Sequence, residues 1–239
     1  MSNHTTAGTK KRSSYHQPHR KPARETLERI LSAAEDQLRE QELDAFTIQA
    51  VLQRTGLSVG AFYSRFPDKT ALIHELQERV HLRVEARISN NLSLETEVVQ
   101  SLEEAVDSGF GVLIRHMLDE RRLFSAFIML SVFDPVMRER GEQFNLERKR
   151  AIADLLVPFR EQIGHPEVDL AIDSAYAIYS STMRGRLVYY GSPNDMQFGV
   201  NDDILFGNLK RSLALFLRGT DRSPSTASAR RKTRKKGDS

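Results

Sequence analysis

Apolar residues recur along this chain at helical spacing, and polar residues fill the positions between them. Leu27, Ile30, Leu31, Ala34 and Leu38 form one stripe, predicting a first helix over residues 23–41 with Pro22 just before it. Ile48, Val51 and Leu52 follow at i, i+3 and i+4, predicting a short second helix. Thr47 is placed to cap it, and Gly56 can take the positive φ that ends a helix without steric cost. Ser58 offers a new cap, and Phe62 and Phe66, four apart, share one face of a third short helix. Pro67 closes that helix and Asp68 caps the next. Two short helices joined by a tight glycine turn form a helix-turn-helix, whose second helix can enter a DNA major groove.

The same periodicity continues to the end of the apolar sequence. A fourth helix carries Leu72, Ile73, Leu76, Val80 and Val84 and is expected to fray near Ser89-Asn90-Asn91. Val98, Val99, Leu102, Ala105, Val106, Leu113 and Met117 mark a fifth, interrupted by Gly109 and Gly111, which suggest a close contact or a pocket edge. Residues 123–132 read as a short buried helix, and Pro135 starts a long seventh that Pro158 ends or kinks. Gly164-His165-Pro166 is a turn before an eighth helix bearing Val168, Ile172, Ala175, Tyr176, Tyr179, Met183 and Leu187. Gly191-Ser192-Pro193-Asn194 and Gly199 mark a loop before a ninth bearing Ile204, Leu205, Leu209, Leu213, Phe216 and Leu217. No alternating pattern and no internal repeat is present, so the expected class is all-α.

The residues of the helix-turn-helix carry more than its periodicity. Phe46-Thr47, Thr55-Gly56-Leu57-Ser58, Gly60, Phe62-Tyr63, Phe66-Pro67 and Lys69 together resemble the N-terminal signature of the TetR/AcrR regulators. The likeness runs from about Leu27 to Leu76; Thr55 stands where that family usually has Ala, and Arg65 where it often has His. The resemblance implies an N-terminal three-helix helix-turn-helix domain followed by a C-terminal helical bundle for effector binding and dimerisation.

Charge divides the chain in a way the overall +3 conceals. Residues 1–24 carry six basic side chains and no acid, and residues 218–239 carry eight basic and two acidic ones, leaving about −9 on the middle. Both ends are poor in apolar residues and read as disordered. The expected organisation is a basic arm over 1–21, a DNA-binding domain with its linking helix over 22–84, an effector and dimerisation domain over 85–218, and a basic tail over 219–239. Residues 25–69 hold eight acids against five bases, so phosphate attraction must come from a few placed residues plus the arm. The C-terminal tail reads equally as a solubilising segment.

By the resemblance, Ser58, Val59, Gly60 and Ala61 would face base edges. They are small, so readout would rely on close backbone approach and contact with thymine methyl groups. Arg65 is the one long donor nearby, for a phosphate or a guanine. Thr47, Tyr63 and Lys69 match phosphate contacts, which position a protein without reading sequence. The alternatives are a partly buried core aromatic for Tyr63 and a solvated lysine for Lys69. Phe62 and Phe66 are assigned to the core. The layout of the family places an effector pocket among helices four to eight, with His116, Phe124, Phe127, Phe144, Arg148, Tyr176 and Tyr179 as candidate lining; each is also open to a plain core or surface role. Helices eight and nine would pair across a two-fold axis.

Other classes find little in the sequence. There is no cysteine, hence no disulfide or thiolate chemistry, and this is compatible with the cytoplasm. No apolar run approaches the ~18 residues that span a membrane, and the polar N-terminus does not read as a signal peptide. Phosphate-loop, zinc-protease and nucleophile-elbow motifs are absent. One Glu-x-x-His, Glu78 to His81, falls short of the paired motifs and extra glutamates of a di-iron bundle. No enzyme, metal or cofactor is expected. The expectation is a homodimeric, ligand-responsive repressor on a palindromic DNA operator, with the fourth helix transmitting the effector's signal. The alternative is an effector-independent or architectural DNA-binding protein.

Overall fold

A computed structural model describes residues 21–189 and 199–219. Among these the chain is all-α: α1 (Lys21–Glu40), α2 (Ile48–Thr55), α3 (Val59–Tyr63), α4 (Lys69–Thr96), α5 (Leu102–Asp119), α6 (Arg121–Ser131), α7 (Pro135–Leu156), α8 (Val168–Tyr189) and α9 (Asp202–Arg218). Short 3-10 turns at Leu43–Ala45 and Val157–Gln162 follow α1 and α7. The two basic tails and the Gly191–Asn194 segment lie outside the described residues.

The chain divides into two compact units. One comprises the described residues of Met1–Ile88, His116–Leu146 and Arg184–Gly191; the other comprises those of Ser89–Arg115, Glu147–Met183 and Ser192–Ser239. In the first, Leu27, Ile30, Leu31, Ala34 and Leu38 of α1 are buried together with Phe46, Val51, Phe62, Phe66, Leu72 and Leu76. This is the apolar stripe of α1 and the inner faces of the next three helices. The start of α7 is fastened to α4 by polar contacts. Gln77 Nε2 donates to the Met137 carbonyl at 2.9 Å, Arg140 Nη1 donates to that of His74 at 2.5 Å, and His74 Nε2 lies 2.6 Å from Asp134 Oδ2.

Local sequence accounts for most helix ends. Asp68 Oδ1 accepts from the Ala71 N–H at 2.7 Å, Ser101 Oγ from that of Glu104 at 3.2 Å, and Asn201 Oδ1 from that of Ile204 at 3.0 Å. Three expectations need correction. Pro22 lies inside the first turn of α1 rather than ahead of it, where its missing N–H costs nothing. The helix does not fray at Ser89-Asn90-Asn91 but runs on to Thr96, because Ile88 and Leu92 continue its buried stripe. Gly109 and Gly111 do not interrupt α5. A Cβ at Gly109 would stand 2.6 Å from Leu155 Cδ2 and 3.1 Å from Ile152 Cδ1, so this glycine admits α7 to close approach.

A second glycine contact closes the same unit, the second of the two. The Gly164 N–H donates to the Leu217 carbonyl at 3.0 Å, and a Cβ on Gly164 would meet the Arg218 carbonyl oxygen at 2.1 Å. Gly219, at φ +67°, lies against the same backbone. Both partners are main chain and cannot swing aside. Gly164→Ala is therefore expected to cost about 1–3 kcal/mol, read as a fall in the urea midpoint; an unchanged midpoint would contradict this packing.

Candidate nucleic-acid interface

The helix-turn-helix is built from three short steps of local chemistry. Thr47 Oγ1 accepts from the Ala50 N–H at 3.2 Å and starts α2. Gly56, at φ +63°, ends it, its N–H donating to the Leu52 carbonyl at 2.9 Å. Ser58 Oγ accepts from the Ala61 N–H at 3.2 Å and starts α3. Thr55, in place of the usual alanine, is buried, but its hydroxyl is satisfied by the carbonyls of Val51 at 2.9 Å and Leu52 at 3.2 Å.

The outer face of α3 is open. Val59 is 59% exposed, Tyr63 is 51% exposed, and a Cβ at Gly60 would meet nothing within 4 Å. Ala61 is half-buried. Phe62 is fully buried, with its ring 5.6 Å from that of Phe66 and edge-on to Tyr63 at 5.2 Å. Tyr63 thus stands on the core without belonging to it. The result is a small, uncharged ridge with one phenol at its end, able to approach a groove floor closely.

The long cations around this ridge are already engaged. Arg65 Nη1 donates to the Ala61 carbonyl at 2.9 Å and contacts Ser64 Oγ at 3.2 Å, so from the turn after α3 it is folded back onto that helix. Lys69 Nζ donates to the Phe46 carbonyl at 2.5 Å and lies 5.0 Å from the centre of the Phe46 ring. It therefore ties the start of α4 to the turn before α2 and is not simply solvated. Two further arginines, which no sequence pattern singles out, brace the unit. Arg29 donates to the Thr55 carbonyl, joining α1 to the end of α2, and Arg54 pairs with Glu40 at the end of α1, one bond measuring 3.1 Å. That bonding from Arg54 is the main reason the Glu40 carboxyl is held below the usual carboxylate range.

The reading unit is joined to the rest of its compact unit by a charged cluster. Glu35 of α1 and Glu120, just before α6, are buried to 3% and 5% exposure. Arg39, Arg79 and Arg83 surround Glu35, and Arg39, Arg83 and Arg87 surround Glu120. Burial pushes the Glu35 carboxyl up, but the bond from Arg83 and the charges of Arg83, Arg39 and Arg79 outweigh it and hold it below its ordinary value. A carboxyl lowered in the folded state lends stability that is complete above its ordinary value of 4.5 and is lost as pH falls through the lowered one. Melting temperature is therefore expected to drop with acidification below that value in the wild type. A Glu35→Gln variant, less stable at neutral pH, should lose less; equal acid losses would contradict the assignment.

The effector candidates fall into two groups. In the first unit, Phe124, Phe127 and Phe144 are brought together around His81, which stacks on Phe144 at 4.2 Å and 6° and lies 5.9 Å from Phe124 and 6.0 Å from Phe127. His116 is buried in the same unit. Glu78, the other half of the Glu-x-x-His pattern, instead pairs with Arg140 at 3.1 Å and is half exposed. His81 joins the candidates only through the fold, although its place on the apolar side of α4 is visible in the sequence. In the second unit, Tyr179 lies 5.3 Å from Phe110 and 5.5 Å from Tyr176. Burial pushes both phenols up, while the charge of the buried Arg148 pulls them partly back. Among the described residues the Tyr179 hydroxyl, fully enclosed, has no hydrogen-bond partner. No helix among them is long and apolar enough to cross a membrane.

Comparison with known proteins agrees with this geometry. Residues 30–76 match the sequence model of the bacterial regulatory proteins of the tetR family. No curated protein gives a significant sequence match. Among solved structures, the chain is similar to a putative TetR-family transcriptional regulator from Mesorhizobium loti (TM-score 0.61, 15% identity, 83% of this chain and 96% of that one). It is similar also to the TetR-family regulator PfmR from Thermus thermophilus (TM-score 0.53, 20% identity, 81% and 100%). A third is NalD, the secondary repressor of the MexAB-OprM multidrug efflux pump in Pseudomonas aeruginosa (TM-score 0.52, 17% identity, 80% and 97%). At these identities the structures establish the fold, and the match over residues 30–76 identifies the helix-turn-helix as the segment similar to that family. The chain carries the helix-turn-helix segment of the tetR family of bacterial regulatory proteins, within the fold of that family's transcriptional regulators.

Proposed function

We propose that this protein is a homodimeric, ligand-responsive transcriptional repressor that binds a palindromic operator. Residues 22–84 serve as the DNA-binding domain and 85–218 as the effector and dimerisation domain. The observation that carries this reading is the open ridge of α3, where Val59, Gly60 and Tyr63 are uncovered in a segment that matches the tetR family. Ser58, Val59, Gly60 and Ala61 meet base edges, with Val59 suited to a thymine methyl. Thr47, Tyr63 and Lys69 grip phosphates, and Arg65 joins them once it leaves the Ala61 carbonyl. The basic N-terminal arm adds charge that the reading unit itself lacks.

Dimerisation is supported by apolar side chains left uncovered in one unit: Leu170 and Ile178 of α8, and Ile204 and Leu215 of α9. Repression has a precedent among similar folds in NalD. For the effector, the supporting feature is the Tyr179 hydroxyl, enclosed beside Arg148 and Tyr176 without a partner among the described residues. A small molecule that binds better to the form with wrongly spaced recognition helices would shift the population away from operator binding, with α4 moving between the two. The protein works in the cytoplasm, where its operator is.

Binding of purified protein to its own upstream DNA, at two salt concentrations against an unrelated duplex, tests the reading. Tyr63→Phe and Lys69→Ala are each expected to weaken specific binding by about 1–3 kcal/mol, as loss of a charge-assisted or phosphate bond does. Equal and steeply salt-dependent binding to both duplexes would instead support an architectural role driven by the basic tails.

A further inference from the structure

The geometry points to Glu120 as the positioning residue that sets the angle at which the DNA-reading unit is held for operator binding. The inference rests on the proposed reading as a dimer on a palindrome. Three helix segments meet at this one buried carboxylate. Arg39, in the last turn of α1, donates from Nη2 to Oε1 at 3.0 Å and Oε2 at 2.8 Å, and from Nε to Oε2 at 3.1 Å. Arg83 of α4 donates to Oε1 at 2.9 Å, and Arg87 lies 3.8 Å from the same oxygen. Glu120 itself leads directly into α6.

The arginines involved reach toward solvent, while the carboxylate is enclosed. It is therefore the hub, and its removal leaves guanidinium groups from two helices facing one another. Glu35 already faces three guanidinium groups, Arg83 at 2.7 Å and those of Arg39 and Arg79, so its single charge is shared among them and does not replace the one lost. The fork of Arg39 on Glu120 fixes direction as well as distance, since a planar guanidinium meets a carboxylate in few orientations.

Apolar packing does not duplicate this clamp along the whole seam. Beside it, Leu38, Gln41, Leu43, Ser125, Ala126 and Met129 line a narrow cleft of about 40 Å³ between the end of α1 and α6. A polar bridge across that cleft, Arg122 to Glu42 at 3.0 Å, is at the surface and holds weakly. Because α1 packs on α2 and is bonded to its end through Arg29 and Arg54, rotation of α1 about this seam turns the helix-turn-helix and with it the recognition helix. On a dimer, that rotation changes the separation of the two recognition helices, which must match the operator's half-site spacing. Glu120 thus acts on DNA through Arg39 and α1, some eighty positions earlier in the chain, without touching DNA itself.

A spacing series tests this. Wild type, Glu120→Gln and Arg39→Gln are bound to palindromic duplexes whose half-sites are separated by the preferred distance or by one base pair more or less, and to a single half-site; melting is followed in parallel. Wild type should prefer one spacing. Both variants should lose about tenfold at that spacing, a typical coupling between distant sites, and discriminate less between spacings, yet bind the single half-site as wild type does. Should a variant keep full spacing preference, or lose half-site binding in step with palindrome binding, the positioning role is overturned. If wild type itself prefers no spacing, the dimeric operator reading falls, and this inference with it.

Discussion

Phe62→Ala is expected to cost about 3–5 kcal/mol of stability and to abolish DNA binding. The Phe62 ring is completely enclosed, touching Phe66 on one side and supporting the edge of Tyr63 on the other. Its removal leaves a cavity in the smallest part of the fold, where α3 has only five residues and no helical stability of its own. The loss is comparable to the whole stability of a small domain, typically ~5–15 kcal/mol. Urea unfolding should show an early transition for the reading unit. A shift below ~1 kcal/mol would contradict a core role, since truncating a buried Phe to Ala costs about 3–5 kcal/mol.

Gly60→Glu is expected to produce the opposite combination: a folded protein that no longer binds its operator. A Cβ at Gly60 has no neighbour within 4 Å, and the position lies in the first turn of α3, where an acidic side chain is favourable. Exchanging glycine for a better helix former gains roughly 0.5–1 kcal/mol at such a position. On DNA the same carboxylate would sit in the groove between phosphate rows. A like-charge contact of this kind costs several kcal/mol, and about 3 kcal/mol corresponds to a loss of over a hundredfold in affinity. Melting temperature and operator affinity, measured together, separate the two effects. Retained binding would mean that α3 does not enter the groove.

Much of this architecture was readable because it is local. Thr47, Gly56, Ser58 and Asp68 make their caps within four residues, and the stripe of α1 needs only its own periodicity. Where tertiary burial overrides local preference, reading failed. Ser89-Asn90-Asn91 suggests fraying, but Ile88 and Leu92 on either side are each buried, and the helix runs through them. The charged cluster was hidden for a different reason. Arg39 and Glu120 are 81 positions apart, and nothing in the spacing of either helix announces the other. Lys69 presents the same difficulty on a smaller scale: it looks like a free cation at a helix start, yet its ammonium is held by the Phe46 carbonyl and ring. The aromatic effector candidates were recognisable as large apolar residues, but only the fold gathers Phe124, Phe127 and Phe144 around His81.

The central claim is that a dimer reads DNA through the open ridge of α3. Selection of bound duplexes from a random pool, with wild type and Gly60→Glu side by side, tests it most directly. Wild type should enrich a palindrome whose half-sites lie about one helical turn apart, ~10 base pairs or a multiple of that, and the variant should enrich nothing. Recovery of no common sequence by wild type, or of the same palindrome by the variant, would contradict the account.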